Sequence, residues 1–494
     1  MKIDFGQIKS FYDGKAGLIA GLCQQVNLDT IFNKHLEQHQ GRPTDISYGI
    51  MAQLMLINMA DDHHPLSRMD EYFQNTDLET IFGIPIDINK LNDDRFGGFL
   101  DAMVDAGCLA LYSELSVSAF KRYGIKLSNI NFDTTSKVMW GQYETSDGTA
   151  GVVDITFGYS KQKRFDKKQI KFALGTTQGI CIDGLLLSGN ADDKHSNIDY
   201  LDRAVQLREQ FELEQEEFFY IADSAAFTKA FLQKSRSLGI ELITRMPDNI
   251  KEGKKALEYA WLHLNELPTV EVPTSTKPSL YRVYETECVY QGIPLKMAVC
   301  YSEKLKFQKA KTLEKRILNE SKTLEKLAKT MNQRSFACLE DAQLEINKLN
   351  RQELNKLQYH KVSIEIESQE IRRRGRPSQD TSKDTVGLKY TFTFAVTKDE
   401  KSMKSPQFVN SFFVDSPRRV EALGYLLLIL MLLLSVAEYL VRRGLENDKL
   451  TIVGPGKIKM DRPSLMAIYR IFFSVATSTV KINGLSFIED IINL

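Results

Sequence analysis

The feature that most restricts how this chain can fold is a change of residue periodicity near Ser128. Before it, apolar residues recur every three or four positions, as in AGLIAGLCQQVNLDTIFNKHL and ISYGIMAQLMLINMA. That spacing predicts amphipathic helices, so residues 1–125 are expected to form an all-α domain. After Ser128, short runs rich in β-branched and aromatic residues alternate apolar and polar positions, which is typical of strands.

The order of these runs between residues 126 and 249 predicts a mixed sheet. Four strand-like runs come first, NINFDTTS, VDITFGYS, IKFALGTT and ICIDGLLLSGN, and the last three lie close enough in sequence for an antiparallel meander. A helix (NIDYLDRAVQLREQFE), a strand (FFYIADS), a helix (FTKAFLQKSRSLG) and a strand (IELITRM) follow. Strands that alternate with helices after a meander indicate an α/β fold with both parallel and antiparallel neighbours.

Residues 250–395 interrupt this order and are expected to form an α+β insertion domain. Two strand-like runs, LYRVYETECVY and LKMAVCY, precede a polar helical run, KFQKAKTLEKRILNESKTLEKLAKTMNQ. Its Lys and Glu residues lie four positions apart, as on a solvated helix. Residues 396–494 are expected to form C-terminal helices that complete the α/β core.

The insertion ends in a basic run, IRRRGRPSQDTSKD, which has two interpretations. Its arginines could contact DNA phosphates, since such contacts supply much of the affinity of DNA-binding proteins. Equally, the run could be an ordinary solvated surface loop. The candidate phosphate-binding residues are Arg372, Arg373, Arg374 and Arg376.

Charge and cysteine content exclude some classes of protein but not DNA binding. Lys plus Arg and Asp plus Glu each number 64, and a net charge of zero decides nothing because DNA binding depends on local basic surfaces. The six cysteines include no CxxC pair, which argues against a zinc knuckle and against a secreted disulfide framework. The first residues lack an apolar signal segment, so a reducing cytoplasm is the expected location.

An apolar run, ALGYLLLILMLLLSVA, occupies residues 422–437. A membrane span needs about 20 apolar residues, and extending this run would include Glu438, which is costly in lipid. The run is therefore expected to form a buried core helix, and no membrane partner is predicted.

Two acidic residues stand where strands end. Asp133 follows the apolar residues of NINFDTTS, and Asp223 follows those of FFYIADS. Because ligand groups in α/β sheets gather at strand ends, these carboxylates are expected to converge on one point. Oxygen ligands with few histidines nearby favour two Mg²⁺ or Mn²⁺ ions over zinc. The alternative is that each aspartate only caps a turn or helix.

Longer stretches of the chain are similar to a known family. The quoted runs NFDTTS, GYSKQKRFDKKQIKFAL, SGNADDKH and FFYIADSA resemble bacterial insertion-sequence DDE transposases. The branch most similar has an RNase H-like core that a long insertion interrupts before the last acid. HPLSRMDEYFQN, INKLNDDRFGGFLDAM, SFACLEDA and KSPQFVNSFFVDSPRRVEALGYLLLILMLLLSVAEYLVRRGL resemble its other segments, in the family's order.

The resemblance implies a function and a set of site residues. It implies metal-dependent strand cleavage and strand transfer at the ends of an insertion sequence, with Asp133 and Asp223 as the first two catalytic acids. Asn190 and Asp193 become candidate supporting residues. The expected partner is double-stranded DNA, namely terminal repeats and target, bound in part by residues 1–125. A homodimer is expected in the reaction complex, in the bacterial cytoplasm near the nucleoid.

The resemblance fails at the third acid. The family carries it in a helical signature of the type Tyr-x2-Arg-x3-Glu-x6-Lys, and here Lys404 and Pro406 match only its end. Thr397 stands where the glutamate is expected, and Glu400 is the nearest candidate third acid. Two hypotheses follow: an active enzyme that uses Glu400, or an inactive remnant that binds DNA without cleaving it.

Overall fold

In the computed structural model, the described residues are 9–11, 15–36, 45–61, 64–140, 143, 153–159, 164–213, 218–273, 278–336, 338–352, 354, 357, 360–371, 387–398, 416–454, 457–482 and 485–492. They belong to two compact units. The first draws on residues 1–255, 288–295 and 407–494, and the second on residues 256–287 and 296–406.

The described N-terminal residues are mostly helical, as the sequence spacing predicts. A two-residue strand, β1 (Lys9–Ser10), departs from the all-helical expectation. Residues 93–123 form two consecutive helices, because Gly107 adopts φ +88° and ends the first of them. The helices are α1 (Ala16–Gln25), α2 (Leu28–His35), α3 (Tyr48–Ala60), α4 (Met69–Phe73), α5 (Leu78–Phe82), α6 (Asp93–Ala106) and α7 (Cys108–Tyr123).

A five-stranded mixed sheet follows, which confirms the α/β class. Its strands are β2 (Asn129–Val138), β3 (Gln169–Thr177), β4 (Ile180–Ser188), β5 (Phe219–Ala222) and β6 (Glu241–Thr244), in the order β4-β3-β2-β5-β6. β2, β3 and β4 are antiparallel neighbours, whereas β5 lies parallel to both β2 and β6. Helices α8 (Asp193–Gln210) and α9 (Lys229–Ser237) connect the parallel strands.

The predicted strand VDITFGYS was wrong. Residues 153–159 form no strand, and only Thr156 makes a single bridge, to Gln169. The meander instead uses β2, β3 and β4. The backbones of Thr156 and Gln169 lie so close to Gly189 that this position has no room for a side chain. A Cβ on Gly189 would lie 2.1 Å from the carbonyl oxygen of Gln169 and 2.5 Å from that of Thr156.

This close approach makes Gly189 a sensitive position. Gly189→Ala is expected to lower the free energy of unfolding by about 1–3 kcal/mol, because two backbone carbonyls must move. Gly98→Ala is the matched control, since a Cβ on that helical glycine meets nothing within 4 Å. It is expected to raise stability by about 0.5–1 kcal/mol. Urea denaturation of both variants measures the difference, and equal midpoints would contradict the packing described.

The second unit contains the predicted strand-like runs and the polar helix. Two antiparallel groups form in the described part, a sheet in the order β7-β8-β9 and the hairpin β10-β11. The 30-residue helix α11 corresponds to the predicted polar helix. The elements of residues 251–398 are α10 (Lys251–Leu262), β7 (Thr269–Val272), β8 (Ser279–Tyr290), β9 (Ile293–Tyr301), α11 (Glu303–Asn332), α12 (Leu339–Gln352), β10 (His360–Ile371) and β11 (Gly387–Lys398).

The C-terminal residues contain strands as well as the expected helices. The described elements are α13 (Pro417–Asp448), β12 (Ile452–Val453), β13 (Lys459–Met460), α14 (Leu465–Ser474), β14 (Val475–Ile482) and β15 (Leu485–Ile492). β14 pairs with both β15 and β1, so the first and last described strands share one sheet. The pairing of β1 with β14 joins distant segments and carries no local sequence signal. β14 and β15 are consecutive in sequence and separated by Asn483 and Gly484, a dipeptide typical of hairpins that the prediction of C-terminal helices overlooked.

Helix α13 holds the apolar run and is long and apolar enough to cross a membrane. In the structure, 67% of its most apolar window is buried inside the protein. It packs against β4, α6 and α7. The run therefore supplies core contacts, as expected for a buried helix.

The two faces of the five-stranded sheet are covered differently. On one face the ring of Phe132 lies 4.3 Å from that of Tyr200 in α8. On the opposite face, Gly184 of β4 packs against Leu428 of α13. The side chains of a strand alternate between faces, so register assigns every other residue of β2 to each of these layers.

Candidate active site

The strand register brings Asp133 and Asp223 side by side. Phe132 of β2 pairs with Ala222 of β5 in parallel register, and the two aspartates are the next residues on each strand. Neighbouring strands lie about 4.8 Å apart, and residues at matching positions point to the same face. Both aspartates are exposed. The structure therefore places two carboxylates together at the edge where β5 ends.

Each of these carboxylates also orders the local backbone. The Asp133 carboxylate accepts a hydrogen bond of 2.8 Å from the Thr134 amide. Asp223 accepts one of 2.9 Å from the Ala225 amide, at the start of a 3-10 turn over Ser224–Ala226. Its backbone carbonyl accepts 2.7 Å from the Thr244 hydroxyl of β6. Capping and metal ligation are compatible, because an ionised carboxylate has about four acceptor positions.

Asp193 does not join this pair. It accepts hydrogen bonds from the Thr134 hydroxyl at 2.9 Å and from the Lys171 ammonium at 3.1 Å. Thr134 is the residue after Asp133 and points to the α8 face, so the sheet separates Asp193 from the Asp133 carboxylate. Asn190 is exposed in the turn after β4. Both supporting roles stay predictions.

Glu400 and the candidate phosphate-binding residues Arg372, Arg373, Arg374 and Arg376 lie outside the described residues. Within the described part of the chain, no three His, Cys, Asp or Glu side chains are grouped closely enough to hold one metal ion. The described site is therefore a two-carboxylate site.

Sequence reasoning missed two charged groups near this face. Lys137 lies four residues after Asp133 on β2, so both side chains point to the same face of the sheet. Burial lowers the pKa of the Lys137 ammonium to about 8. Glu421 of α13 is half-buried, and burial raises its pKa although the Val153 amide acts against that shift. Its Oε2 has no hydrogen-bond partner among the described residues. Neither residue stands in a recognisable motif, so burial alone reveals them.

Only half of the sheet face that carries the two acids is covered by another element of the described chain. Helix α13 lies over β4, but Phe219 of β5 and Ile243 of β6, which share the Asp133 face by register, are 38% and 51% exposed. Parallel strands usually have both faces covered. Among the described residues, the half of this face next to Asp223 is open.

Residues 7–117 match a family described as a domain of unknown function (DUF4277). This match coincides with the N-terminal helices and stops before the five-stranded sheet. No curated protein matches the sequence.

Two solved transposase structures have distant similarity to this chain. A Mos1 transposase paired-end complex with the left transposon end is 13% identical, with 46% of this chain and 74% of that chain covered and a TM-score of 0.16. A piggyBac transposase synaptic complex with hairpin DNA is 11% identical, with 58% of this chain and 61% of that chain covered and a TM-score of 0.28. Both of these solved structures are transposase complexes with DNA.

Proposed function

We propose that this chain is a transposase that cleaves and transfers DNA strands at insertion-sequence ends, on an RNase H-like core. The observation that supports it is the parallel register of β2 and β5, which sets Asp133 beside Asp223. The five-stranded mixed sheet β4-β3-β2-β5-β6, with one helix before β5 and another before β6, supports the proposal of such an α/β core. Two adjacent exposed carboxylates repel each other, and a divalent cation resolves that repulsion.

Asp133 and Asp223 would hold Mg²⁺ or Mn²⁺, in a two-ion arrangement if a third acid completes the site. Such ions take oxygen ligands and keep several waters, so an exposed pair of carboxylates suits them. The ions would activate the attacking water and stabilise the leaving 3′-oxygen. The protein's own contribution is orientation: backbone amides hold both carboxylates, and the strand register fixes their spacing.

A second function, DNA binding without cleavage, is favoured by a separate observation in the sequence. Thr397 stands where the resemblance places the third acid, and a threonine hydroxyl has no negative charge with which to hold a cation. A displacement of about 1 Å at a reacting group can cost a hundredfold in rate, so a site with two acids could bind DNA and fail to cut it. Such a chain would compete with an active transposase for the same DNA ends.

A nicking assay separates these functions. The substrate is a supercoiled plasmid that carries both DNA ends flanking the coding sequence, incubated with Mg²⁺, Mn²⁺ or EDTA. The transposase is expected to nick at the ends with either metal and not with EDTA. A gel shift on the same ends without nicking would support the second function. Neither binding nor nicking would contradict both.

A further inference from the structure

A surface of exposed aromatic and basic side chains lies on the connection between β2 and β3. Four aromatic side chains there are at least half exposed: Trp140 at 54%, Phe157 at 55%, Tyr159 at 75% and Phe165 at 59%. Aromatic residues of this size are normally buried, so several exposed together usually mark an interaction site. We call Trp140, Phe157, Tyr159, Phe165, Arg164 and Lys167 the aromatic–basic surface.

Its cations and rings are arranged together. The Arg164 guanidinium and the Lys167 ammonium each lie 5.0 Å from the Trp140 ring centroid. The rings of Tyr159 and Phe165 are 6.0 Å apart. Asp166 accepts two hydrogen bonds from Arg164, at 2.7 and 2.8 Å, which fixes the plane of the guanidinium.

The surface is anchored to the sheet. Gln169, the fully buried first residue of β3, donates from Nε2 to the carbonyl of Tyr159 at 3.1 Å and to that of Gly189 at 2.7 Å. The backbone that carries Tyr159 is therefore tied to β3 and to the end of β4. A preformed surface loses less conformational entropy when a ligand binds than a flexible one does.

We propose that the aromatic–basic surface binds unpaired nucleotides of DNA. Stacked bases are the ligands that exposed rings accept regardless of sequence, and cations among the rings neutralise the phosphates between them. Duplex DNA keeps its bases stacked inside the helix and offers these rings no base face. An acidic peptide would use the cations but would leave the four rings exposed.

The position of the surface deepens the proposed function, on which this inference rests. Trp140 lies two residues after the end of β2 and seven residues after Asp133, which is at most about 23 Å of extended chain. That length equals about seven stacked base steps of a strand. A DNA end held at the acids could therefore reach the aromatic–basic surface with about seven nucleotides, provided that these nucleotides are separated from their complementary strand.

Intrinsic fluorescence tests the proposal without requiring cleavage. The chain has two tryptophans, Trp140 and Trp261, so Trp261→Phe leaves Trp140 as the only reporter. Ten-nucleotide single-stranded DNA is expected to quench this fluorescence. The same sequence as blunt duplex is expected to quench far less at equal concentration.

Variants identify the stacking residues. Tyr159→Ala and Phe165→Ala are each expected to weaken single-strand binding by about 5- to 150-fold, the range for loss of one stacked base. Phe307→Ala is the matched control, because Phe307 is 71% exposed elsewhere in the chain and should leave binding unchanged. All three positions are exposed, and circular dichroism verifies folding.

Three outcomes would overturn the proposal: no quenching by single-stranded DNA, equal binding of blunt duplex, or unchanged affinity in both Tyr159→Ala and Phe165→Ala. Quenching is also measured with single-stranded RNA of the same sequence, and clearly tighter binding of RNA than of DNA would overturn the assignment to DNA. If the wild-type chain shows quenching by single-stranded DNA but does not nick with either metal, the proposed cleavage function fails and the aromatic–basic surface stands. If the wild-type chain nicks but shows no quenching, the cleavage function stands and the aromatic–basic surface fails.

Discussion

Replacing Asp133 with asparagine is expected to lower metal-dependent nicking by about 10²-fold or more. The substitution keeps the size of the side chain but removes the negative charge that would hold the cation beside Asp223. Because Asp133 is exposed, the free energy of unfolding should change by no more than about 0.5 kcal/mol. Initial nicking rates with Mg²⁺ and urea midpoints of both proteins measure the two effects.

Asp202→Asn serves as the control for this prediction. Asp202 is 60% exposed on α8, which covers the opposite face of the sheet, and it pairs with Lys234, so its neutralisation should leave nicking unchanged. If the wild type does not nick, the same comparison uses Mn²⁺-dependent thermal stabilisation. A cation at a hundred times its Kd stabilises a protein by about 2.7 kcal/mol, and Asp133→Asn should abolish that gain. Identical behaviour of the three proteins would remove Asp133 from the proposed site.

Asp183→Ala is expected to lower the free energy of unfolding by about 3–5 kcal/mol. The Asp183 side chain is fully buried in β4 and accepts a hydrogen bond of 2.9 Å from the Tyr200 hydroxyl. It also accepts 2.9 Å from Arg203, whose side chain is only 12% exposed. Removing the carboxylate leaves a buried guanidinium and a buried hydroxyl without their acceptor. Urea denaturation followed by circular dichroism measures the loss.

Two further variants show whether burial of the Asp183–Arg203 pair causes the large loss of stability in Asp183→Ala. Asp248→Ala breaks the exposed pair with Arg245 and is expected to cost less than about 1 kcal/mol. The double variant Asp183→Leu with Arg203→Leu removes both buried charges and should recover much of the loss, since apolar replacement of a buried pair is often tolerated. A small effect of Asp183→Ala, comparable to that of Asp248→Ala, would mean that Arg203 reaches solvent when its partner is lost.

The sequence predicted those parts of the fold that depend on local periodicity. The N-terminal helices, the polar helix α11 and the alternation after β4 follow from residue spacing, which each segment carries by itself. The run VDITFGYS has the composition of a strand but makes one bridge only, since pairing depends on partners elsewhere in the chain. Strands β14 and β15 do carry a local signal, β-branched and aromatic residues on either side of Asn483-Gly484, which the prediction of C-terminal helices did not use.

The site could be predicted in part. Asp133 and Asp223 are prominent because each follows a hydrophobic strand, and the parallel register that brings them together follows from the order of the elements. The family resemblance adds Asp193, which follows the end of β4, as a candidate supporting residue. Its side chain lies on the other face of the sheet, and the residue that decides this is Thr134, one position from Asp133. The role of Glu400 stays a prediction.

Helix α13 determines when the core can be completed during synthesis. The amide of Cys181 in β4 donates to the hydroxyl of Ser435 in α13, a contact between residues 254 positions apart. At about 5–20 residues per second, a ribosome needs roughly 13–50 s to make the intervening chain. During that time the apolar face of β4 has no helix to cover it, and nascent chains must be kept from associating with one another. Ribosomes that stop before residue 417 would release a chain with an incomplete core.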